Sequence, residues 1–124
     1  MKKYNFLIVD DIFINRLLLK EIIQELCGEL REAANGKEAI DIIKSENIDI
    51  VLMDIEMPVM NGVETTKFIR SEMPYPKNIL PIIALTAHNP DDFFESYQNA
   101  GFNQLITKPY SLTKVIQAIE SFCK

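Results

Sequence analysis

Five side chains in this sequence have the chemistry to hold a hard cation and a phosphoryl group. They are the adjacent acids Asp10 and Asp11, the lone acid Asp54, the hydroxyl of Thr86 and the ammonium of Lys108. Each follows a short apolar run: Leu7-Ile8-Val9, Ile50 to Met53, Ile82 to Leu85, and Leu105-Ile106-Thr107. If those runs are parallel strands of one sheet, the residues after them share its carboxyl edge, where open α/β sheets gather ligands. Two unit charges about 4 Å apart repel by roughly 4 kcal/mol at an effective dielectric near 20. Three acids therefore need relief, and Lys108 supplies one positive charge. A divalent cation supplies the remainder, and an all-oxygen donor set favours Mg²⁺ over zinc or copper. Asp54 ends a central strand alone and is the candidate nucleophile, while Asp10 and Asp11 suit metal holding. The metal and Lys108 would neutralise the phosphoryl oxygens and Thr86 would donate a hydrogen bond to one of them.

The elements needed to bring these residues together alternate strictly. Tyr4 to Val9 reads as a strand, and Leu17, Leu18, Ile22, Ile23 and Leu26 then recur at helical spacing until Gly28 stops the helix. Leu30 to Ala34 is a weak strand, Lys37 to Lys44 a helix with Ala39, Ile40 and Ile43 facing in, and Asp49 to Met53 a buried strand. Met57-Pro58 to Asn61-Gly62 is a turn-rich loop, Val63 to Glu72 a helix, and Met73 to Lys77 a loop with Pro74 and Pro76. Leu80 to Leu85 is a strand with a proline near its start, Asp91 to Ala100 a helix capped by Gly101, and Leu105-Ile106 a short strand. Ser111 to Phe122 is a final amphipathic helix with Ser111 as N-cap. Five β–α units imply parallel pairing, right-handed crossovers and helices on both faces of the sheet. The expected fold is a doubly wound, three-layer α/β domain covering residues 1–124.

Composition removes several alternatives. The chain has 124 residues with 13 basic and 18 acidic side chains, net charge −5, which argues against phosphate-driven nucleic-acid binding and a basic membrane-surface helix. No apolar run approaches the roughly 18 residues needed to span a bilayer, and the N-terminus does not read as a signal peptide. Cys27 and Cys123 have no metal-ligand spacing and read as reduced thiols in a cytoplasmic setting.

The stretches LIVDD (7–11), VLMDIEMPVMNG (51–62), PIIALTA (81–87) and LITKP (105–109) resemble the receiver domains of bacterial two-component response regulators, the CheY-like family. The likeness runs along essentially the whole chain, with the elements in order. It implies a flavodoxin-like (βα)5 sheet of order 2-1-3-4-5 and phosphorylation of Asp54 by a histidine-phosphate donor, from a histidine kinase or a histidine phosphotransfer protein. It also implies Mg²⁺ held by Asp11 and Asp54, by Asp10 mostly through water, and by the Glu56 backbone carbonyl. Thr86, Ala87 and Lys108 would bind the phosphoryl group, and Lys108-Pro109 would be a cis peptide. MDIEMPVMNG, PIIALTAH and Asn15-Arg16 are similar to receivers of hybrid sensor kinases and phosphorelays. Such a chain is a signalling domain rather than an enzyme, a monomer or weak dimer, and either a stand-alone receiver or a piece of a larger protein.

Blander roles stand beside these. Asp11 could simply be a helix N-cap, and Pro58 and Gly62 serve loop geometry. Glu56 and His88 would border the site and govern how water reaches an acyl phosphate. Phe93, Phe94 and Tyr97 exceed what one buried stripe needs and suggest a partner surface on the 91–100 helix; the resemblance implies that phosphorylation alters the surface around that helix, the fifth strand and the final helix. Other functions on related folds fit less well. A Mg²⁺-dependent phosphohydrolase would carry Asp-x-Asp after its first strand, a flavin carrier would need a phosphate-cradling loop there, and a degenerate docking receiver would lack part of the acceptor set. One position departs from the family: Leu105 stands where receivers often carry an aromatic residue that follows the Thr hydroxyl. Tyr110, after Pro109, is offset from that role. A small conformational response to activation is the expectation.

Overall fold

The central strands of this chain are apolar along their buried length, up to Asp54 and Thr86 at the carboxyl ends of two of them. In the computed structural model, which describes residues 3–87 and 99–122, the strands form one parallel five-stranded sheet of order β2-β1-β3-β4-β5. The described elements run β1 (Tyr4–Val9), α1 (Phe13–Ile23), β2 (Cys27–Ala33), α2 (Gly36–Ser45), β3 (Ile50–Asp54), α3 (Gly62–Glu72), a 3₁₀ turn (Lys77–Ile79), β4 (Ile82–Thr86), β5 (Gln104–Thr107) and α4 (Leu112–Phe122). The helix expected over 91–100, with Phe93, Phe94 and Tyr97, lies outside the described residues, as do His88 and Cys123. Among the described residues no helix is long and apolar enough to cross a membrane.

Alternate strand residues face opposite ways and build two cores. Phe6, Ile8, Ile50, Leu52, Ile83 and Leu85 pack with Leu19 and Ile23 of α1 and Val115, Ala118 and Ile119 of α4. Leu7, Val9, Val51, Met53 and Ile82 pack with Ala39, Ile40 and Ile43 of α2 and Ile69 of α3. The fold class and strand order are those expected.

Several boundaries differ from the sequence reading, each for a physical reason. α1 ends at Ile23 rather than running to Gly28, and Gly28 lies inside β2. A Cβ there would sit 3.3 Å from Asn5 Oδ1, beside the register shift between Tyr4 and Phe6. That glycine therefore marks a close approach within the sheet and not a helix stop. On α1 the buried stripe is Leu19 and Ile23, while Leu17 and Leu18 are exposed. β4 starts at Ile82 and not Leu80, because Pro81 has no N–H to donate; its carbonyl accepts from Val51 N at 2.9 Å, and Ile82 N donates to Asn103 Oδ1 at 2.8 Å. β3 includes Asp54 itself.

Two Asn-Gly pairs set the helices beside the carboxyl edge. Asn35 caps α2 by accepting from Glu38 N at 3.0 Å. Asn61 and Glu64 form a reciprocal capping box on α3. Ser111 caps α4 as expected, its Oγ accepting from Lys114 N at 3.1 Å. Gly36 N donates to Met60 O at 3.1 Å, and a Cβ on Gly36 would collide with Thr65 Oγ1, so the start of α2 presses directly on the loop after β3. A Cβ on Gly62 would lie 2.6 Å from the Asp54 carbonyl oxygen and 2.9 Å from Ile55 Cα, both backbone atoms that cannot swing aside. Gly62→Ala is therefore expected to cost about 2 kcal/mol, a fall in Tm on the order of 5–10 °C. Thermal unfolding checks this, and an unchanged Tm would show that the loop yields.

Candidate phosphoryl-acceptor and cation site

Strand register builds the site. Val9 pairs with Met53, so Asp10 and Asp54 stand side by side one step further along. Asp54 pairs with Leu85 and Thr86 with Thr107, which carries the hydroxyl one step and Lys108 two steps beyond the two acids. The long lysine side chain returns across that distance.

Asp10 is fully buried and Asp54 is 3% exposed, whereas Asp11 is exposed. One oxygen of each of these three carboxylates lies within 4.8 Å of the others. Lys108 Nζ donates to Asp54 Oδ1 at 2.9 Å and stands 3.7 Å from Asp10 Oδ2. Asp10 Oδ1 accepts from Ile12 N at 2.9 Å, but its buried Oδ2 has no hydrogen-bond partner among the described residues. Asp11 is not the N-cap of α1; Ile12 holds that place without a side-chain bond.

The electrostatics follow from burial. Desolvation pushes the Asp54 carboxyl up to about 6; Lys108 opposes the rise, and the charges of Asp10 and Glu56 add to it. Burial pulls the Lys108 ammonium down, yet its bond to Asp54 and the charges of Asp54, Asp10 and Glu56 outweigh that and hold it above the ordinary lysine value. The buried, unpartnered oxygen and the all-oxygen donor set fit a small hard cation such as Mg²⁺. Asp10, Asp11 and Asp54 would hold it.

The surrounding loops are tied down. The loop after β3 turns tightly at Val59, whose φ is 70° and whose neighbours close a hydrogen bond from Met60 N to Pro58 O at 2.7 Å. Glu56 extends from the same loop, and its Oε1 accepts from the fully buried Thr86 hydroxyl at 2.8 Å. Ala87 follows Thr86 and is exposed. Lys108-Pro109 is cis, as the resemblance implied, and Tyr75-Pro76 is cis as well. Leu105 packs against Ile55 and Ala84.

Three parts of the site were not assigned from sequence. Arg16 Nη1 donates to the Asp10 carbonyl at 2.7 Å while its Nε pairs with Glu32 at 3.1 Å, so it fixes the backbone that presents the acids. The sequence signal was an arginine one turn into the helix that follows Asp10-Asp11. Tyr110 is half-buried against the α1/α4 core, and burial together with the Asp10 and Asp54 charges pushes its phenol up to about 12. The Thr86–Glu56 hydrogen bond had no spacing signal, because it joins the ends of two strands.

Comparison with known proteins agrees with this geometry. The family model described as the response regulator receiver domain matches residues 6–120. The aerobic respiration control sensor protein ArcB of Escherichia coli K12 is 31% identical over 118 residues, covering 95% of this chain and 15% of that protein. The transcriptional regulatory protein PdtaR of Mycobacterium tuberculosis H37Rv is 35% identical over 115 residues, covering 92% of this chain and 54% of that protein. The chain thus spans a small part of the first and about half of the second. Among solved structures, the receiver domain of the sensor histidine kinase PA1611 from Pseudomonas aeruginosa PAO1, with a magnesium ion coordinated in its active-site cleft, has a TM-score of 0.86 at 26% identity. That match covers 97% of both chains. The chemotaxis response regulator CheY4 of Vibrio cholerae has a TM-score of 0.85 at 26% identity, covering 98% of this chain and 99% of that one. This chain belongs to the response regulator receiver domain family of two-component signalling, with receivers of hybrid sensor kinases among its relatives.

Proposed function

We propose that Asp54 is the phosphoryl acceptor of a single receiver unit spanning residues 1–124, served by a histidine-phosphate donor on a histidine kinase or a histidine phosphotransfer protein. The observation that carries this is the buried Asp54 carboxylate, capped by Lys108 Nζ at 2.9 Å beside an Asp10 oxygen without a hydrogen-bond partner. An Asp54 oxygen attacks phosphorus, the P–N bond of the phosphohistidine breaks, and its electron pair returns to the imidazole, which leaves neutral if its other nitrogen is protonated. Lys108 offsets charge on the incoming phosphoryl oxygens, and Thr86 and the Ala87 backbone stand one and two residues beyond Asp54's level to receive it. Mg²⁺ held by Asp10, Asp11, Asp54 and the Glu56 carbonyl would supply the remaining positive charge.

The donor has a surface to sit on. Ile12, Phe13, Ile14, Leu17 and Leu18 are 40–65% exposed on the first turns of α1, directly beyond Asp10-Asp11. Under this proposal the exposed apolar side chains are where a phosphohistidine-bearing partner docks. On this reading the chain turns over no substrate beyond its own phosphorylation and dephosphorylation. It works in the cytoplasm as a monomer or weak dimer, without direct nucleic-acid contact.

Incubation with acetyl phosphate and Mg²⁺ is expected to add one phosphoryl group to the intact mass of the wild type and none to Asp54→Asn. Steady hydrolysis of small phosphate esters would favour a phosphohydrolase instead, and an unmodified wild type would exclude the acceptor role. Asp54→Asn has a second signature. A carboxyl whose pKa rises from 3.8 to about 6 on folding stabilises the fold only while protonated, so that contribution is lost as pH rises from about 4 through 6. Without metal at pH 7, Asp54→Asn is therefore expected to be more stable than the wild type by on the order of 2 kcal/mol. Denaturant titrations should show the gap closing by pH 4; a gap that widens as pH falls would refute the sign. Leu105, packed on Ile55 and Ala84, has no ring to move and no hydroxyl to expose. Beryllofluoride is accordingly expected to shift amide NMR signals next to Asp54, Thr86 and Lys108 and to give only a small response beyond them; large shifts across residues 91–100 and β5 would contradict this.

A further inference from the structure

The Thr86 hydroxyl is already engaged. It is fully buried, it lies one residue beyond the level of Asp54 on the neighbouring strand, and it donates to Glu56 Oε1 at 2.8 Å. A hydroxyl has one proton to give. It can serve the Glu56 carboxylate or a phosphoryl oxygen on Asp54, but not both. Glu56 is two residues past Asp54, on the loop that Gly62 N ties back to Ile55 O at 2.9 Å, and its own residue is exposed. A carboxylate that loses this bond can turn to water at small cost, whereas the buried Thr86 can turn only toward another acceptor.

We propose that Glu56 is a positioning residue that holds the Thr86 hydroxyl before phosphorylation and is displaced from it by the phosphoryl group. This rests on Asp54 being the acceptor. The exchange makes Glu56 a competitor of the phosphoryl oxygens, so the unphosphorylated state is stabilised by the bond that activation must break. It also gives the site an outlet. Thr86 is buried and Leu105 has no polar group, but Glu56 is exposed, so a change in its bonding reaches the surface of the loop after β3. The phosphorylated form then differs from the resting form in the bonding of an exposed acidic side chain as well as by the phosphoryl group.

Two measurements test this. The first needs neither metal nor phosphate: three-bond couplings to the Thr86 methyl report its χ1 rotamer. One rotamer is expected in the wild type, rotamer averaging in Glu56→Ala, and near wild-type behaviour in Glu56→Gln, whose amide oxygen still accepts. An unchanged rotamer in Glu56→Ala overturns the proposal. The second is beryllofluoride affinity with Mg²⁺ present. Release of one charge-assisted hydrogen bond is expected to tighten binding about 5- to 20-fold in Glu56→Ala. Removal of charge alone would tighten Glu56→Gln equally, and that result counts against the proposal. In a Thr86→Val background the effect of Glu56→Ala is expected to fall below twofold, and in Thr86→Ser to persist. A full effect in Thr86→Val overturns the proposal. A wild type that does not bind beryllofluoride refutes the acceptor reading, while the methyl measurement still decides whether Glu56 holds Thr86.

Discussion

Three carboxylates share one edge of the sheet with one ammonium, and two of those carboxylates are dry. Burial alone penalises Asp10 and Asp54 as charges, and mutual repulsion adds to the penalty. Lys108 relieves part of it through Asp54 and reaches only 3.7 Å from Asp10. The residual imbalance suits a small cation and is what the proposed acceptor role would use. In that role a better neutralised site would make a more stable domain and a poorer acceptor. The rest of the architecture exists to hold this unrelieved arrangement in place.

It does so through register and through tethers. Parallel pairing sets Asp10 level with Asp54 and steps Thr86 and Lys108 outward, so the strands or their immediate ends fix the spacing of these four groups. Central strands buried on both faces cannot slip by one residue without turning Phe6 and Ile8 into the wrong core. Arg16 fixes the turn that presents Asp10 from outside, through the carbonyl and through Glu32.

Much of this was legible in the sequence, and the reason is physical. Apolar runs ended by a charge announce a buried strand with a polar rim, so the order of elements and Asp10, Asp11, Asp54, Thr86 and Lys108 could be read directly. Signals carried by a single residue were less reliable. Gly28 looked like a helix stop because a glycine after an apolar helix usually is one, yet here it admits the Asn5 side chain. Leu17 and Leu18 fit helical spacing but are exposed, since the spacing alone does not tell a core face from an exposed apolar one. Contacts between strand ends, such as Thr86 with Glu56, depend on which strands become neighbours and leave no periodic trace.

The junction between α2 and the loop after β3 has a mechanical meaning. Gly36 N grips Met60 O, and the missing Cβ lets the helix end rest against Thr65 and Met60 with no slack. That side of the acceptor loop is an abutment. In the proposed acceptor role, a phosphoryl group on Asp54 would add volume and charge to a crowded rim that has no slack toward α2. Any give would then lie across the sheet, toward β4 and β5, where Thr86 and Lys108 stand. Gly36, without a functional group, would thereby set the direction of the response.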